Sequence, residues 1–176
     1  MNRRAFLGLG LQLAAGIIVN QAVSCWADTG MRRLSFYHTH TKKHLDITYG
    51  YGGRYDRAAL DRLNRYLSDF RTGEVHPIDP GVLDILCQIQ QKMGCHGTYE
   101  VISAYRSPAT NQYLRKRSKG VAKHSLHMEG RAIDIRLTGQ NTHHVRNCAI
   151  SLQRGGVGYY AKHDFVHIDT GRVRTW

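Results

Sequence analysis

The sequence predicts a single α+β domain, with a small, largely antiparallel sheet and helices packed on it. The chain has 176 residues, about the length of one ordinary domain. Apolar residues follow a helical period at 56–70 and 142–153, whereas they alternate at 165–169. Because helical segments come early and strands concentrate later, these patterns together favour the α+β class.

The elements can be placed in order along the chain. A hairpin is predicted over Leu34 to Tyr49, and the glycine-rich stretch 49–53 after it is predicted to be a loop. Asp79 is a good N-cap, with Pro80 as the first helical residue and Gly94 just past the end. The predicted helices are 56–70, 80–93, 108–117 and 142–153, and the later strands are 99–103, 132–137, 157–160 and 165–169.

Residues 1–27 resemble a twin-arginine signal peptide, which leaves residues 28–176 as the mature domain. Arg3 and Arg4 precede an apolar stretch at 6–19, which is shorter than the roughly 20 residues that a spanning helix needs. Cys25 and Ala27 supply small residues before a cleavage site. The resemblance implies the twin-arginine export machinery as a partner during secretion, a periplasmic location and no stable membrane span.

Two alternatives remain for this N-terminal segment. It could be a core helix that happens to follow two arginines. Residues 22–25 also loosely resemble a lipobox, which would make Cys25 a lipoprotein anchor, but the first position lacks the usual leucine.

The composition is that of a soluble globular protein with a strong positive charge. Hydrophobic residues make up 41% and charged residues 22%, which argues against a disordered or collagen-like chain. The formal net charge of +12 indicates a polyanionic partner, and the basic run at 115–119 could attract one. On charge alone nucleic acid, anionic lipid and a cell-wall polymer all remain open, and export together with the lack of a reader motif argues against nucleic acid.

The cysteines of the predicted mature domain do not indicate a metal or redox site. Cys87, Cys95 and Cys148 remain after export, and none belongs to a C-x-x-C pair. A cysteine zinc cluster is therefore disfavoured, while the disulfide pairing stays open.

Two short stretches concentrate the residues that suit a metal site. Asp134 is predicted on the polar face of strand 132–137, where a buried carboxylate is costly unless it is paired or binds metal. His127 precedes this strand by a loop, and His167 lies on the polar face of strand 165–169. Two histidines and one carboxylate form a common catalytic zinc set, with the fourth position left to water.

These stretches resemble a known family. The sequence SLHMEGRAID at 125–134 resembles the S-x-H-x-x-G-x-A-x-D motif of the LAS metallopeptidases, and 104–108 with Asn111 resembles their GYRS-x-x-x-N segment. Residues 155–160 and 165–176 are similar to the YcbK/MepK-type murein endopeptidases. The resemblance covers nearly all of 34–176.

This resemblance implies a periplasmic enzyme that binds one zinc ion and cuts peptide cross-links in peptidoglycan. It places the zinc at His127, Asp134 and His167, and it places Arg106 beside the metal. A guanidinium suits a two-point grip on a substrate carboxylate. The expected substrate is the 3-3 (L,D) link between diaminopimelate residues, followed by the 4-3 (D,D) link. The alternative function is a non-catalytic peptidoglycan-binding module that keeps the fold.

Two aspartates are candidates for the general base. Asp164 fits the D-x-x-H pattern of related groups, whereas Phe165 occupies their H-x-H position and cannot serve. In an extended strand Asp169 shares a face with His167 and Asp164 does not, so Asp169 is favoured. Either would take a proton from zinc-bound water.

Other histidines are predicted to lie outside the metal set. His38 and His40 share a face of a possible strand but have no accompanying carboxylate motif. His124 and His163 lie near the proposed ligands in sequence and could shape the pocket.

Overall fold

The structure is a computed structural model that describes residues 30–118 and 120–176. The predicted export signal and Lys119 of the basic run therefore lie outside the described residues. The described strands are β1 (Arg32–His38), β2 (His44–Tyr51), β3 (Arg54–Tyr55), β4 (Tyr99–Ser103), β5 (Ala132–Leu137), β6 (Gly156–Tyr160), β7 (Phe165–Asp169) and β8 (Arg174–Thr175). The described α-helices are α1 (Arg57–Tyr66), α2 (Pro80–Met93), α3 (Pro108–Arg117) and α4 (Thr142–Leu152), and two 3-10 turns cover Leu126–Glu129 and Ala161–His163.

All of these strands belong to one eight-stranded sheet, in the order β3-β2-β1-β4-β5-β7-β6-β8. The pairs β1–β4 and β6–β8 are parallel and the other pairs are antiparallel. The predicted α+β class and the largely antiparallel sheet are thus confirmed. The sheet is larger than expected because β3 and β8 extend its edges, and two residues are too few to show an alternating pattern.

Local capping signals set the ends of α2 where the sequence predicts them. The Asp79 side chain accepts a hydrogen bond from the Gly81 N–H, Pro80 occupies the first turn, and Gly94 ends the helix in the left-handed conformation. The predicted helix 56–70 was wrong at its C-terminal end, because α1 stops at Tyr66. There Ser68 bonds the Arg65 carbonyl through its hydroxyl, a local bond that competes with continued helix.

Strand β2 also runs through part of the predicted loop at 49–53. Gly50 pairs with Arg32 on one side and with Tyr55 on the other, so the chain remains extended to Tyr51. The backbone ladder therefore outweighs the low strand propensity of glycine at this edge.

The two faces of the central strands have different roles. Ile133, Ile135, Val166 and Ile168 are buried in the core, where α2 packs on β1 and α4 packs on β5, β6 and β7. The opposite face of β5 and β7 carries polar side chains that are also buried. No helix in the described ranges has both the length and the apolar character needed to cross a membrane.

Candidate metal centre

Sheet register aligns four residues across the polar face. Ser103 on β4 pairs with Asp134 on β5, Asp134 pairs with His167 on β7, and His167 pairs with Gly158 on β6. Directly opposite residues on antiparallel strands have side chains close enough to interact. The register therefore brings Asp134 and His167 together, as the alternation of both strands predicts.

His127 completes a compact cluster with these two residues. Its Nε2 lies 3.3 Å from Oδ2 of Asp134, and Nδ1 of His167 lies 2.8 Å from Oδ1 of the same carboxylate. One potential ligand atom from each residue lies within 4.8 Å of the others, and all three residues are buried. Two imidazole nitrogens and a carboxylate oxygen fit a catalytic zinc ion with an open fourth position.

The backbone of the Arg106 segment orients His127. Nδ1 of His127 lies 2.7 Å from the Ala104 carbonyl, which makes Nδ1 the protonated nitrogen and leaves Nε2 facing Asp134. In return, the Arg106 N–H donates to the His127 carbonyl at 3.1 Å. The two sequence motifs are thus held against each other by reciprocal hydrogen bonds.

Asp169 contacts His167, but on the edge of the ring that faces away from Asp134. Oδ2 of Asp169 lies 3.0 Å from Nε2 of His167. The carboxylate is 0% exposed and also accepts hydrogen bonds from Arg174 and from the N–H groups of Gly156 and Gly171. The shared strand face is as predicted, and Asp169 meets the edge of the His167 ring opposite the one that faces Asp134.

Asp164 lies away from the cluster. It has a left-handed backbone with φ of 50°, and its carboxylate accepts a hydrogen bond from Thr142 at 2.7 Å. Arg136 lies 3.5 Å from the other oxygen, and the Asp164 side chain is 67% exposed. The D-x-x-H pattern therefore does not bring this carboxylate to the candidate metal centre.

The buried charges shift the pKa values of the cluster in different directions. Burial alone would raise the pKa of Asp134, but the charges and hydrogen bonds of His127 and His167 hold it well below its usual range. Burial lowers the pKa of His127. Burial also acts to lower that of His167, but its hydrogen bonds to Asp134 and Asp169 prevail and raise its pKa to about 9. In the metal-free cluster the raised pKa of His167 therefore places a proton between Asp134 and Asp169, and a bound metal ion would replace that proton.

A cavity of about 440 Å³ opens onto this cluster. Arg106 lines it, and its Nη2 lies 3.9 Å from Oδ2 of Asp134. The Arg106 Nε is buried and has no hydrogen-bond partner among the described residues. Burial lowers the pKa of this guanidinium, although the Asp134 charge opposes that effect. The arginine is thus placed to meet an anionic group that enters the cavity.

His124 and His163 also line the cavity, as their sequence positions suggest. Tyr160 and Trp176 line it too, and sequence reasoning missed both. Each lies within a stretch of family resemblance, but neither belongs to a sequence pattern of metal ligands or of paired acid–base groups, so nothing singled them out.

His38 and His40 have structural environments instead. Nδ1 of the buried His38 accepts from the His40 N–H at 3.3 Å, and the His40 ring stacks on Phe70 with centroids 4.1 Å apart. Burial, followed by the charge of His40, lowers the pKa of His38 to about 4. Cys87, Cys95 and Cys148 are all free thiols.

The α+β sheet and the buried cluster of two histidines and one carboxylate define a domain with a candidate catalytic metal site. The family model described as peptidoglycan L,D-endopeptidase MepK (Peptidase_M15_2) matches residues 27–176. The chain therefore belongs to this peptidase family.

Individual relatives agree with this placement. The chain is 39% identical over 176 residues to the peptidoglycan L,D-endopeptidase MepK of Escherichia coli K12, covering 99% of this chain and 97% of the relative. It is 38% identical over 177 residues to the probable peptidoglycan L,D-endopeptidase MepK of Haemophilus influenzae, covering 99% and 95%. No solved structure gives a significant match.

Proposed function

We propose that this protein is a zinc-dependent periplasmic endopeptidase that hydrolyses peptide cross-links in peptidoglycan. The proposed substrate is the 3-3 link between diaminopimelate residues, with the 4-3 link as the next candidate. The observation that carries the proposal is the buried cluster of His127, Asp134 and His167 beside the cavity. Membership of a family described as peptidoglycan L,D-endopeptidases supports the substrate class.

The proposal assigns the metal to the three clustered side chains. His127 would bind through Nε2, His167 through Nδ1 and Asp134 through a carboxylate oxygen, because these atoms face one another. When bound, zinc supplies a Lewis acid and a water whose pKa lies near 7.

Arg106 and Asp169 have supporting parts in this proposal. The buried guanidinium of Arg106 binds a carboxylate of the cross-linked peptide and so orients the scissile bond. Asp169 holds the His167 ring through Nε2, so that Nδ1 stays directed at the metal position. Given their placements, neither Asp169 nor Asp164 is proposed as the general base.

The proposal includes export by the twin-arginine route. Residues 1–27 serve as the signal and residues 28–176 as the mature domain, which accords with Arg3, Arg4 and the apolar stretch that follows. The family match that begins at residue 27 supports this division.

Digestion of purified sacculi tests the function directly. Mature protein with zinc is expected to release products from 3-3 cross-linked material, and a chelator is expected to stop the release until zinc is restored. His143→Ala is a matched control, since this exposed histidine at the start of α4 does not line the cavity. Binding to sacculi without any cleavage of 3-3 or 4-3 links would support the non-catalytic module instead.

A further inference from the structure

The indole of Trp176 fills the space that Gly158 leaves beside the candidate metal centre. Gly158 lies directly opposite His167 in the sheet, and a Cβ there would lie 2.6 Å from the indole ring. The ring centroids of Trp176 and His167 are 5.2 Å apart. Trp176 is held there by backbone hydrogen bonds with β6, where the Tyr159 N–H donates to its carbonyl at 2.9 Å.

The same indole orients the hydroxyl group of Tyr160. Nε1 of Trp176 donates a hydrogen bond to the Tyr160 oxygen at 3.1 Å. The Tyr160 ring stacks on Phe165 with centroids 4.5 Å apart and an interplanar angle of 15°, which fixes the ring plane. Arg174 covers the Trp176 ring at 4.8 Å. Stacking on Phe165 therefore fixes the plane of the Tyr160 ring, and the hydrogen bond from Trp176 fixes the position of its oxygen.

This arrangement leaves the hydroxyl hydrogen of Tyr160 available to a ligand. An indole nitrogen can only donate, so the phenol oxygen must act as the acceptor in this pair. No described residue accepts the hydrogen of Tyr160. Tyr160, Trp176 and Arg106 line the same cavity as the three clustered side chains, so the free donor borders the space that a substrate would enter.

We infer that Tyr160 is a catalytic residue of the endopeptidase, an inference that rests on the function proposed above. Its hydroxyl donates a hydrogen bond to the carbonyl oxygen of the scissile amide as negative charge develops there. The proton stays on Tyr160 throughout, so this hydrogen bond stabilises the developing charge and neither supplies a proton to the leaving amine nor takes one from the attacking water. Trp176 is a positioning residue that acts through Tyr160.

The test is a double-mutant cycle on purified 3-3 cross-linked muropeptide, with kcat and KM measured separately. Donors preorganised for a developing oxyanion typically contribute about 100- to 1,000-fold to kcat. Tyr160→Phe is therefore expected to lower kcat by about 100-fold with little change in KM. Trp176→Phe keeps an aromatic ring over Gly158 but loses the Nε1 donor, and a loss of about 10-fold is expected.

The double variant separates the two roles. If Trp176 acts through Tyr160, Tyr160→Phe with Trp176→Phe is expected to be no slower than Tyr160→Phe alone. Tyr159→Phe is the control, because Tyr159 contacts His143 and Arg146 and does not line the cavity. Zinc content and Tm are measured for each variant. If Trp176→Phe lowers the Tm, its kinetics reflect a folding defect, and the Tyr160→Phe result alone decides the inference.

Three results would overturn the inference. A Tyr160→Phe variant with normal kcat removes the hydroxyl from the reaction. A rise in KM alone assigns it to binding a substrate carboxylate in the ground state. Fully additive losses in the double variant disconnect Trp176 from Tyr160. Failure of the proposed function itself is distinguishable, because the unmutated protein would then not cleave the muropeptide.

Discussion

His167 lies between two carboxylates, with Nδ1 2.8 Å from Asp134 and Nε2 3.0 Å from Asp169. Asp169 cannot easily turn away, because Arg174 and two backbone N–H groups also bind it within the protein interior. The imidazole is therefore fixed in orientation, and Nδ1 is the nitrogen left to face the metal position. A carboxylate behind a metal-binding histidine commonly has this effect.

Asp169→Asn is expected to weaken zinc binding as well as turnover. The N–H groups of Gly156 and Gly171 hold the remaining oxygen at the Oδ1 position, so the amide nitrogen takes the Oδ2 position. There it cannot accept from His167 or Arg174, and the ring loses its fixed orientation. Loss of such outer partners typically costs about 10- to 100-fold in metal affinity or activity. Zinc affinity is measured by competition with a chelator, and turnover is measured at both limiting and saturating zinc.

Asp164→Asn is the matched control for this change. Its carboxylate is largely exposed and contacts Thr142 and Arg136 outside the cluster, so near-normal zinc binding and turnover are expected. If Asp169→Asn kept full zinc affinity but lost turnover by about 100-fold or more, Asp169 would be the general base after all. Loss of turnover in Asp164→Asn alone would restore the D-x-x-H assignment.

Replacement of a proposed ligand should remove the metal rather than only slow the reaction. His127→Ala, Asp134→Ala and His167→Ala each leave two of the three donors, fewer than catalytic zinc sites use. Each variant is expected to lose tightly bound zinc and wall hydrolysis together. Metal analysis after dialysis is the measurement, and one zinc per chain retained by all three variants would contradict the ligand assignment.

Export is tested by conservative changes in the paired arginines. The double variant Arg3→Lys, Arg4→Lys keeps the positive charge of the segment, so any loss of export cannot be caused by a change in charge. The precursor is expected to stay in the cytoplasm if the twin-arginine machinery is the route. Normal arrival in the periplasm, in this variant or in cells that lack that machinery, would contradict the proposal.

Short-range sequence patterns correctly predicted the ends of α2 and the two faces of β7. Asp79, Pro80 and Gly94 mark both ends of α2, and alternation in β7 places His167 and Asp169 on one face. These features depend on neighbours in the chain, so one sequence is enough to predict them. The meeting of Asp134 and His167 follows once β5 and β7 pair in register.

Features that depend on distant contacts were beyond the sequence. Alternation cannot tell which edge of the His167 ring meets Asp169, so the sequence alone could not predict the hydrogen bond between Asp169 and Nε2 of His167. The hydrogen bond between Trp176 and Tyr160 depends on the parallel pairing of β8 with β6. Because β8 has only two residues, its sequence has no pattern that predicts this pairing. Both features need the assembled sheet.

Asp69 should make stability depend on acid pH. Burial alone would raise the pKa of this carboxyl, but hydrogen bonds from Thr110, Ser107 and the Arg71 N–H outweigh burial and lower the pKa to about 2. Because the folded pKa lies below the ordinary value, the stabilisation is complete above about pH 4 and is lost as the pH falls toward 2. A pKa shift of this size corresponds to at most about 2 kcal/mol of unfolding free energy at neutral pH, and solvent screening reduces it further.

Asp69→Asn is expected to remove most of this dependence. The free energy of unfolding is measured in urea on metal-free protein at pH 6 and at pH 2.5, with the exposed Asp61→Asn on α1 as control. The difference in unfolding free energy between unmutated protein and Asp69→Asn should be clearly smaller at pH 2.5 than at pH 6, because most of the stabilisation is lost as the pH approaches the folded pKa of about 2. A difference that stays constant over this range would show that the charge of Asp69 does not stabilise the fold.

Gly130 follows the turn that carries His127 and should tolerate no side chain. Its φ is +65°, and an added Cβ would lie 2.0 Å from the Pro77 carbonyl oxygen. Gly139 has a similar φ of +75°, but an added Cβ there meets no described atom within 4 Å. The two glycines therefore share a backbone conformation and differ in the space around it.

Alanine at each glycine separates these two effects. Gly139→Ala is expected to cost about 1 kcal/mol of unfolding free energy, the usual strain of a left-handed residue. Gly130→Ala is expected to cost well over about 3 kcal/mol, because the Pro77 backbone must also move, and to lower zinc affinity by displacing His127. Urea unfolding and zinc competition measure both variants. Equal costs would mean that backbone conformation alone, and not the contact with Pro77, requires glycine at 130.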